Sequence, residues 1–542
     1  MNSLPVTSRL LKKSLLVSAV ASSLALGSAA YAQKVGNVFY ILLENRNFTS
    51  GSDLTGGAPL VGNSAAPYIN SLITPGNANA AQVSYVTSYH NVLATPSGAN
   101  PNIHPSEPNY LWMESGDNYG VFNDNDPYGS TKQVQFIANY LAANTQLSGQ
   151  HITGLVQAAG ISWRSYQEGI DHVNTTGGNA NLGGPLTSQV LPEDQWTVPL
   201  QSFSGKNDAY VNPYNGSHQW NFACKHDGSL FYTDTNGSTV DTANNSTTNP
   251  FAHNYAPLEQ FQADLDNNTV ARFTVITPDQ FNDMHTALTG GFTYQGTHYT
   301  GDLSQIAQGD NFLSIIVPKI MASKAYQDNG VIVIWTDETE GTNRDDFTHT
   351  LEEIIISPLA KGNAYASNLN MTHSTDLNTL QKIFQVTAHT ATGYLNDAAN
   401  ASNSSSGATG VGFGTGTTVD LSDLFIPGVI PASIPTTKIA PSGYVVNRRT
   451  NTVTQTVTVT NILSGAISGP IYLAVDNLSS NTALANKIGN TLNNAPTGSP
   501  YVVAAPAGLA AGASATVTLQ FTVPASGGIT DSLRVISTSG QP

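Results

Sequence analysis

The chain has 542 residues, a formal net charge of −16 at pH 7 and a charged fraction of only 10%. Because this length exceeds what one ordinary hydrophobic core needs, it predicts two domains. The acidic balance argues against nucleic acid as a partner, since nucleic-acid binding favours basic faces. It also gives no attraction to anionic lipid headgroups.

The N-terminus has the composition of a secretory signal peptide. An apolar stretch at 15–26 follows a basic region formed by Arg9, Lys12 and Lys13. The small-x-small sequence Ala30-Tyr31-Ala32 then predicts cleavage, with 1–32 as the signal peptide and a periplasmic or secreted mature protein. The alternative is a membrane anchor, but the apolar stretch is short for a span, so we expect no transmembrane segment in the mature chain.

Cys224 is the single cysteine of the chain, which excludes an intramolecular disulfide. A catalytic thiol is the functional alternative. A small buried side chain is the interpretation that we prefer, since free cysteines are commonly buried.

Residues 33–425 are predicted to form an α/β catalytic domain, with a mostly parallel sheet sandwiched by helices. The apolar runs at 38–43 and 331–335 do not alternate with polar residues, which is typical of strands buried on both faces. Helices are expected at 134–143 and at 312–322, where Pro318 would either kink the helix or mark its first turn. Residues 177–249 read as long loops.

The C-terminal part has a different composition. Gly and Ser dominate 403–417, and Pro-spaced chain at 426–437 is interpreted as the linker. Period-two alternation at 452–460 and 513–523 predicts an antiparallel, immunoglobulin-like β-sandwich over 438–542. A role of this accessory domain in surface association is a hypothesis by analogy.

Two of the apolar runs end in paired polar side chains. Glu44-Asn45 follows the first run, and Asp337-Glu338 follows the second after Thr336. The carboxyl ends of parallel strands meet at one edge of an open sheet, so these oxygen ligands could share a divalent cation. The alternatives are a helix cap or turn for Glu44-Asn45 and two solvated turn acids for Asp337-Glu338.

Three further segments contain groups suited to ester chemistry. His104-Pro105-Ser106-Glu107-Pro108-Asn109-Tyr110 places a serine at a turn that could open a helix, although a capped polar turn is the alternative. Asn282-Asp283-Met284-His285 follows an apolar run, and Lys225-His226 is a weaker candidate of the same kind. His349 and His373 follow the acidic pair. The segment 124–126 is interpreted as a solvated turn, because it lacks the later Gly and Glu of a calcium loop.

Taken in order, these segments resemble the phosphoesterase family that includes bacterial phospholipases C and secreted acid phosphatases, with an alkaline phosphatase-like fold. The family pattern Glu-Asn-Arg-x-Phe corresponds to 44–48, and Pro-Ser-x-Pro-Asn corresponds to 105–109. The resemblance implies a metal site formed by Glu44, Asn45, Ser106, Asp337 and Glu338. It further implies that Ser106 is the nucleophile and that His285 and His226 contact the phosphoryl group.

The resemblance also implies residues that support the site without holding the metal, and the sequence departs from the family pattern at one place. Residues expected near the phosphate or behind the ligands are His104, Asn109, Asp283, His349 and His373. Where many members have Asp-His-Val, this chain has Thr348-His349-Thr350, which leaves the role of His349 open. A stretch at 287–301 looks inserted.

The sequence and the resemblance thus predict an exported, metal-dependent phosphoric-ester hydrolase. We favour a phosphomonoesterase of the acid phosphatase type, which cleaves a phosphate ester through a phosphoserine intermediate. A phospholipase C is one alternative, and an inactive surface-binding protein is another. The metal could be calcium, magnesium, manganese, zinc or iron. Glu44-Asn45 and Asp337-Glu338 must lie within about 8 Å of each other to share one coordination shell.

Overall fold

The structure, a computed structural model, describes the chain from Lys34 onward with internal gaps. The described residues are 34–50, 57–90, 104–119, 121, 123–127, 144–146, 149–171, 191–237, 248–340, 349–395 and 420–542. The predicted signal peptide at 1–32, the helix expected at 134–143 and the Gly/Ser-rich stretch at 403–417 lie outside these ranges. No helix in the described ranges is both long and apolar enough to cross a membrane.

The N-terminal part is built on a mixed, mostly parallel sheet. Its strands and the smaller ones around it are β1 Val38–Leu43, β2 Val83–Val86, β3 Tyr89–His90, β4 Trp163–Gln167, β5 Phe203–Lys206, β6 Gln219–Phe222, β7 Tyr255–Pro257, β8 Phe273–Thr277, β9 Phe292–Tyr294, β10 Thr297–Tyr299, β11 Val331–Thr336, β12 Glu353–Ile356, β13 Tyr365–Ser367 and β14 Met371–Thr372. The order across the main sheet is β13-β2-β12-β11-β1-β8-β4-β7. Only β12 runs antiparallel to its neighbours β11 and β2. The predicted α/β class is confirmed.

Helices cover both faces of this sheet. Their bounds are α1 Pro67–Leu72, α2 Glu107–Ser115, α3 Ile152–Ala158, α4 Thr233–Asn236, α5 Gln260–Asn267, α6 Asp302–Ala322, α7 Lys324–Gln327 and α8 His373–Phe384. Alternate side chains of β1 enter two separate apolar cores, one with α2 and α8 and the other with α1, α5 and α6. Burial on both faces explains why β1 is apolar at every position.

Helix α6 extends further than its sequence predicted. The expected helix at 312–322 begins at Asp302, so Pro318 lies in its interior and the first-turn interpretation is wrong. Buried Ile306 and Ala307 continue the apolar stripe toward the N-terminus of the helix, and this packing decides where it begins. The stretch at 287–301 contains the hairpin of β9 and β10.

The C-terminal part contains antiparallel sheets. Its strands are β15 Thr437–Pro441, β16 Val445–Asn447, β17 Thr452–Asn461, β18 Ile467–Ser468, β19 Ile471–Asp476, β20 Gly489–Asn490, β21 Pro500–Ala505, β22 Gly508–Leu509, β23 Ser514–Thr522 and β24 Ser532–Ser537. One sheet pairs β17 with β15, β16 and β23, and another has the order β20-β21-β19-β24. Val457, Leu473 and Phe521 belong to the core that both sheets share. The antiparallel architecture is confirmed, whereas the domain boundaries stay predictions.

Candidate active site at the carboxyl edge of the sheet

The register between β1 and β11 sets the geometry of the site. Leu43 pairs with Thr336, so the next residues, Glu44 and Asp337, leave the sheet side by side. The backbone N–H of Asn45 donates to Oδ1 of Asp337 at 2.8 Å. Glu44 and Asp337 are fully buried. Two strand ends 292 residues apart in sequence are thereby joined directly.

Three carboxylates form one compact cluster at this edge. Glu44, Asp337 and Glu338 each offer an oxygen atom such that all three atoms lie within 4.8 Å of one another. Both carboxylate oxygens of Glu44 and Oδ2 of Asp337 are buried without a hydrogen-bond partner. Holding such oxygens together in the interior is costly unless a cation or protons neutralise them. The cluster therefore fits a divalent cation with a preference for oxygen ligands.

The segment that carries Ser106 packs against the third carboxylate. Ser106 immediately precedes α2, and its Oγ donates to Oε1 of Glu338 at 3.3 Å. Nδ2 of Asn109 donates to Oε2 of the same residue at 3.0 Å. Nδ1 of His104 lies 2.8 Å from Oε1. Glu338 thus links the serine to the acidic cluster.

A second histidine group flanks Glu44. His226 places Nε2 at 2.9 Å from Oε1 of Glu44, a close charge contact without hydrogen-bond alignment, and its Nδ1 at 3.0 Å from Oδ2 of Asp283. Asp283 also accepts the backbone N–H of His285, whose ring centroid lies 6.0 Å from that of His226. Both nitrogens of His226 therefore face carboxylates, while its expected contact with a phosphoryl group stays a prediction.

Burial and neighbouring charges raise the pKa values of some of these groups and lower that of Glu44. Burial raises the pKa of Glu338 to about 7 although His104 opposes the rise, and burial together with Glu44 and Glu338 raises the pKa of Asp337. Burial alone would also raise the pKa of Glu44, but the charge of His226 lowers it below its usual value. Burial by itself would lower the pKa of His226, but the charge of Glu44 outweighs burial and raises this pKa to about 9. The site therefore contains an ion pair, Glu44 with His226, beside two carboxyl groups that favour protons or a cation.

A buried polar network supports the cluster from behind. Nε2 of His373 donates to the backbone carbonyl oxygen of Asp337 at 2.6 Å. Since a carbonyl only accepts, Nδ1 of His373 is the acceptor for Nε1–H of Trp335 at 3.1 Å, with the hydroxyl of Tyr89 3.0 Å away. Tyr89 and Tyr40 both donate to Asp376. Burial lowers the pKa of His373 to about 3, so its ring is neutral.

Several of these positions escaped the sequence analysis. Tyr89 and Asp376 lie in buried elements and show no motif, while Tyr40 and Trp335 were expected only as members of buried strands. Asp124 was expected in a solvated turn and is exposed, and its Oδ1 also accepts the backbone N–H of Glu107 at 3.1 Å. Such pairings depend on the fold and leave no local signal.

The remaining predicted residues differ in their placement. Asn45 reaches the cluster through its backbone N–H, and its φ of 53° lies in the left-handed region that asparagine tolerates. His349 is buried next to the bridge between Thr350 and Thr49, and its role stays a prediction. Cys224 is buried, as predicted.

The sequence matches the Phosphoesterase family over residues 99–387, which is more than half of the chain. No curated protein matches it. Similar solved structures include a protein of the alkaline phosphatase superfamily from Vibrio parahaemolyticus, with 12% identity, a TM-score of 0.34 and coverage of 79% of this chain and 78% of that one. A phosphonate monoester hydrolase from Silicibacter pomeroyi has 11% identity, a TM-score of 0.32 and coverage of 79% and 87%. The PsFucS1 sulfatase from Pseudoalteromonas sp. has 11% identity, a TM-score of 0.33 and coverage of 66% and 69%.

Proposed function

Because the chain belongs to the Phosphoesterase family, as its motifs predicted, we propose that it is a metal-dependent phosphoric monoester hydrolase of the acid phosphatase type. Family membership supports the hydrolysis of a phosphoric ester as the class of reaction. The monoester preference is the finer part of the proposal, and the acid phosphatase-like segment at 104–110 supports it. We also propose that the mature protein acts outside the cytoplasm, on the strength of the signal-like sequence at 1–32.

One observation carries the proposal: the hydroxyl of Ser106 contacts Glu338, a member of the cluster of three buried carboxylates. A serine hydroxyl is a weak nucleophile unless a base or a metal activates it. Glu338 offers a carboxylate to Ser106 and also belongs to the cluster that fits a cation. Glu44, Asn45, Asp337, Glu338 and Ser106 are the residues that would hold the cation. When bound, a divalent cation would supply Lewis acidity toward phosphoryl oxygens and would favour ionisation of the serine.

The chain's own residues define the route. Oγ of Ser106 attacks phosphorus, its proton passes to Oε1 of Glu338, and the bond from phosphorus to the leaving oxygen breaks. The released alkoxide takes a proton from water and leaves as an alcohol. Water then attacks the phosphoserine, the bond from phosphorus to Oγ breaks, Oγ takes back the proton held by Glu338, and inorganic phosphate departs. His285 contacts the phosphoryl oxygens in this scheme, while His226 keeps Glu44 oriented.

The test compares two serines of the same region. Ser106→Ala should lower the hydrolysis of an aryl phosphate by roughly a thousandfold or more, because the nucleophile is lost. Ser115→Ala is the matched control: Ser115 ends α2 and donates to the backbone carbonyl of Leu111, away from the cluster. Near-normal activity of Ser106→Ala would refute the assignment.

Two further measurements decide the substrate class and the cofactor. Phosphatidylcholine hydrolysis that exceeds aryl phosphate hydrolysis would favour a phospholipase C instead. Metal analysis of the purified protein, followed by assays before and after chelation, should show a bound divalent ion whose removal abolishes turnover. A protein that binds no metal and cleaves no ester would instead fit an inactive binding protein.

A further inference from the structure

Lys225 lies next to the site but takes no part in the scheme above. It belongs to the short turn of helix Cys224–His226, directly before the histidine that contacts Glu44. Its Nζ donates to Oδ2 of Asp124 at 2.8 Å, and its side chain is only 14% exposed. The turn therefore presents a confined cation beside the acidic cluster.

Asp124 fixes this cation relative to the nucleophile. One carboxylate oxygen accepts Nζ of Lys225, and the other accepts the backbone N–H of Glu107, the residue that follows Ser106. A single carboxylate thus bridges the ammonium and the start of α2. An ammonium group has three donors, and the contact with Asp124 uses one of them. Within the described chain, the other two are available to water or to a substrate.

The charge of Lys225 is permanent and acts on the cluster. Burial lowers its pKa, but the negative charges of Glu44 and Asp124 more than reverse this, so its pKa lies above the ordinary value. Arg46 is also close in sequence, but it is engaged elsewhere. Its guanidinium bonds the carbonyl of Met284 and the side chains of Asp302, Glu340 and Gln305.

We propose that Lys225 is a specificity-determining residue that binds a non-bridging phosphoryl oxygen and so selects dianionic phosphate monoesters over monoanionic diesters and sulfate esters. A monoester dianion carries one more negative charge than either competitor, and this extra charge is what a fixed cation recognises. The inference rests on the proposed phosphoric-ester hydrolysis and adds the charge of the preferred substrate.

The experiment uses three esters with one leaving group: p-nitrophenyl phosphate, bis-p-nitrophenyl phosphate and p-nitrophenyl sulfate. Lys225→Met should lower kcat/KM for the monoester by about 10- to 100-fold and should change the values for the other two esters by less than about threefold. Lys225→Arg should retain most of the monoester preference, since it keeps the charge. In calorimetry, Lys225→Met should bind inorganic phosphate correspondingly more weakly.

Lys361→Met is the control, because Lys361 forms a similar ion pair with Asp423 at 2.7 Å and follows the end of β12 that pairs with the start of β11, at the opposite edge of the sheet. It should leave all three values unchanged. Equal losses for the monoester and the diester, or no loss at all, would overturn the role of Lys225. If the unmodified protein hydrolyses none of the esters, the proposed function itself fails, and this outcome is distinct from a failure of Lys225 alone.

Discussion

His373 donates a hydrogen bond from Nε2 to the backbone carbonyl oxygen of Asp337 at 2.6 Å, so a neutral imidazole holds the strand end that carries the acidic cluster. The same ring contacts Tyr89 and Trp335, and Tyr89 continues to Asp376. Residues that hydrogen-bond to metal ligands orient those ligands, and replacing such residues commonly lowers metal affinity by about 10- to 100-fold. The network therefore connects a buried carboxylate, Asp376, to the acidic cluster.

Tyr89→Phe should weaken the binding of a divalent cation by about tenfold, because His373 loses its hydroxyl neighbour. Tyr40→Phe is the matched control, since Tyr40 also donates to Asp376 but does not contact His373. Both variants should lose about 1–3 kcal/mol of unfolding free energy, the cost of leaving a buried acceptor short of a partner. Calorimetric titration and denaturant unfolding measure the two effects, and equal metal affinities of both variants would argue against the connection.

Asp337→Asn should abolish stoichiometric metal binding and yet stabilise the metal-free protein. The amide keeps an oxygen for the N–H of Asn45 but removes one charge from the cluster. Folding raises the pKa of this carboxyl group, so the free energy of unfolding of the unmodified protein falls as pH rises. The stability advantage of the variant should therefore grow from pH 5 to pH 8. Each unit by which burial and the charges of Glu44 and Glu338 raise the pKa of Asp337 corresponds to about 1.4 kcal/mol.

Thermal unfolding with chelator tests this prediction. Glu352→Gln is the control, because Glu352 is equally buried and its carboxylate oxygens have no hydrogen-bond partner, but it lies outside the cluster of three. It should leave metal binding intact. A metal-free Asp337→Asn protein that is less stable than the unmodified one at pH 8 would contradict the proposed cost of this buried charge.

His151 should make stability fall at alkaline pH. It is fully buried, with Nδ1 at 2.7 Å from Glu114 of α2 and Nε2 at 3.0 Å from Asp234. Burial lowers its pKa, but the bonds to Asp234 and Glu114 raise it to about 9. The protonated His151 contributes its full stabilisation below about pH 6.5, the pKa of histidine in the unfolded chain. This contribution is lost as the pH rises to 9.

The expected loss over this window is about 3 kcal/mol. Denaturant unfolding at pH 6.5 and pH 9 measures it. His151→Gln should be less stable at pH 6.5 and should show a much smaller change between the two pH values. An unchanged pH dependence in this variant would assign the alkaline loss to other groups.

Arg46→Met should be among the most destabilising substitutions near the site. The guanidinium is 2% exposed and joins the loop after β1 to α6 through Asp302 and Gln305. Removing the guanidinium leaves the buried carbonyl of Met284 without this donor and breaks ion pairs with two partly exposed acids, which should together cost about 1–3 kcal/mol. Lys324→Met, in an exposed pair with Asp328, should change the unfolding free energy by less than about 0.5 kcal/mol. Similar effects of the two substitutions would contradict this view.

Much of the framework could be predicted from the sequence alone. The uninterrupted apolar runs of β1 and β11 identified buried strands, and the polar residues that end them identified the edge where the acids meet. Both inferences depend on local chemistry, since burial on two faces excludes alternation and parallel strands share a carboxyl edge. The period-two segments of the C-terminal part likewise predicted antiparallel strands. By contrast, the start of α6 was missed because packing of Ile306 and Ala307 decided it.

The partners inside the site were decided only by the tertiary structure. Ser106 and Glu338 are 232 residues apart, and Tyr40 and Asp376 are 336 apart, so no local pattern records their contacts. Which carboxylate oxygens lack a partner, which histidine is neutral and which carboxylate fixes Lys225 depend on distances and burial after packing. The sequence determined which chemical groups reach this edge of the sheet, and the fold determined which of them face each other.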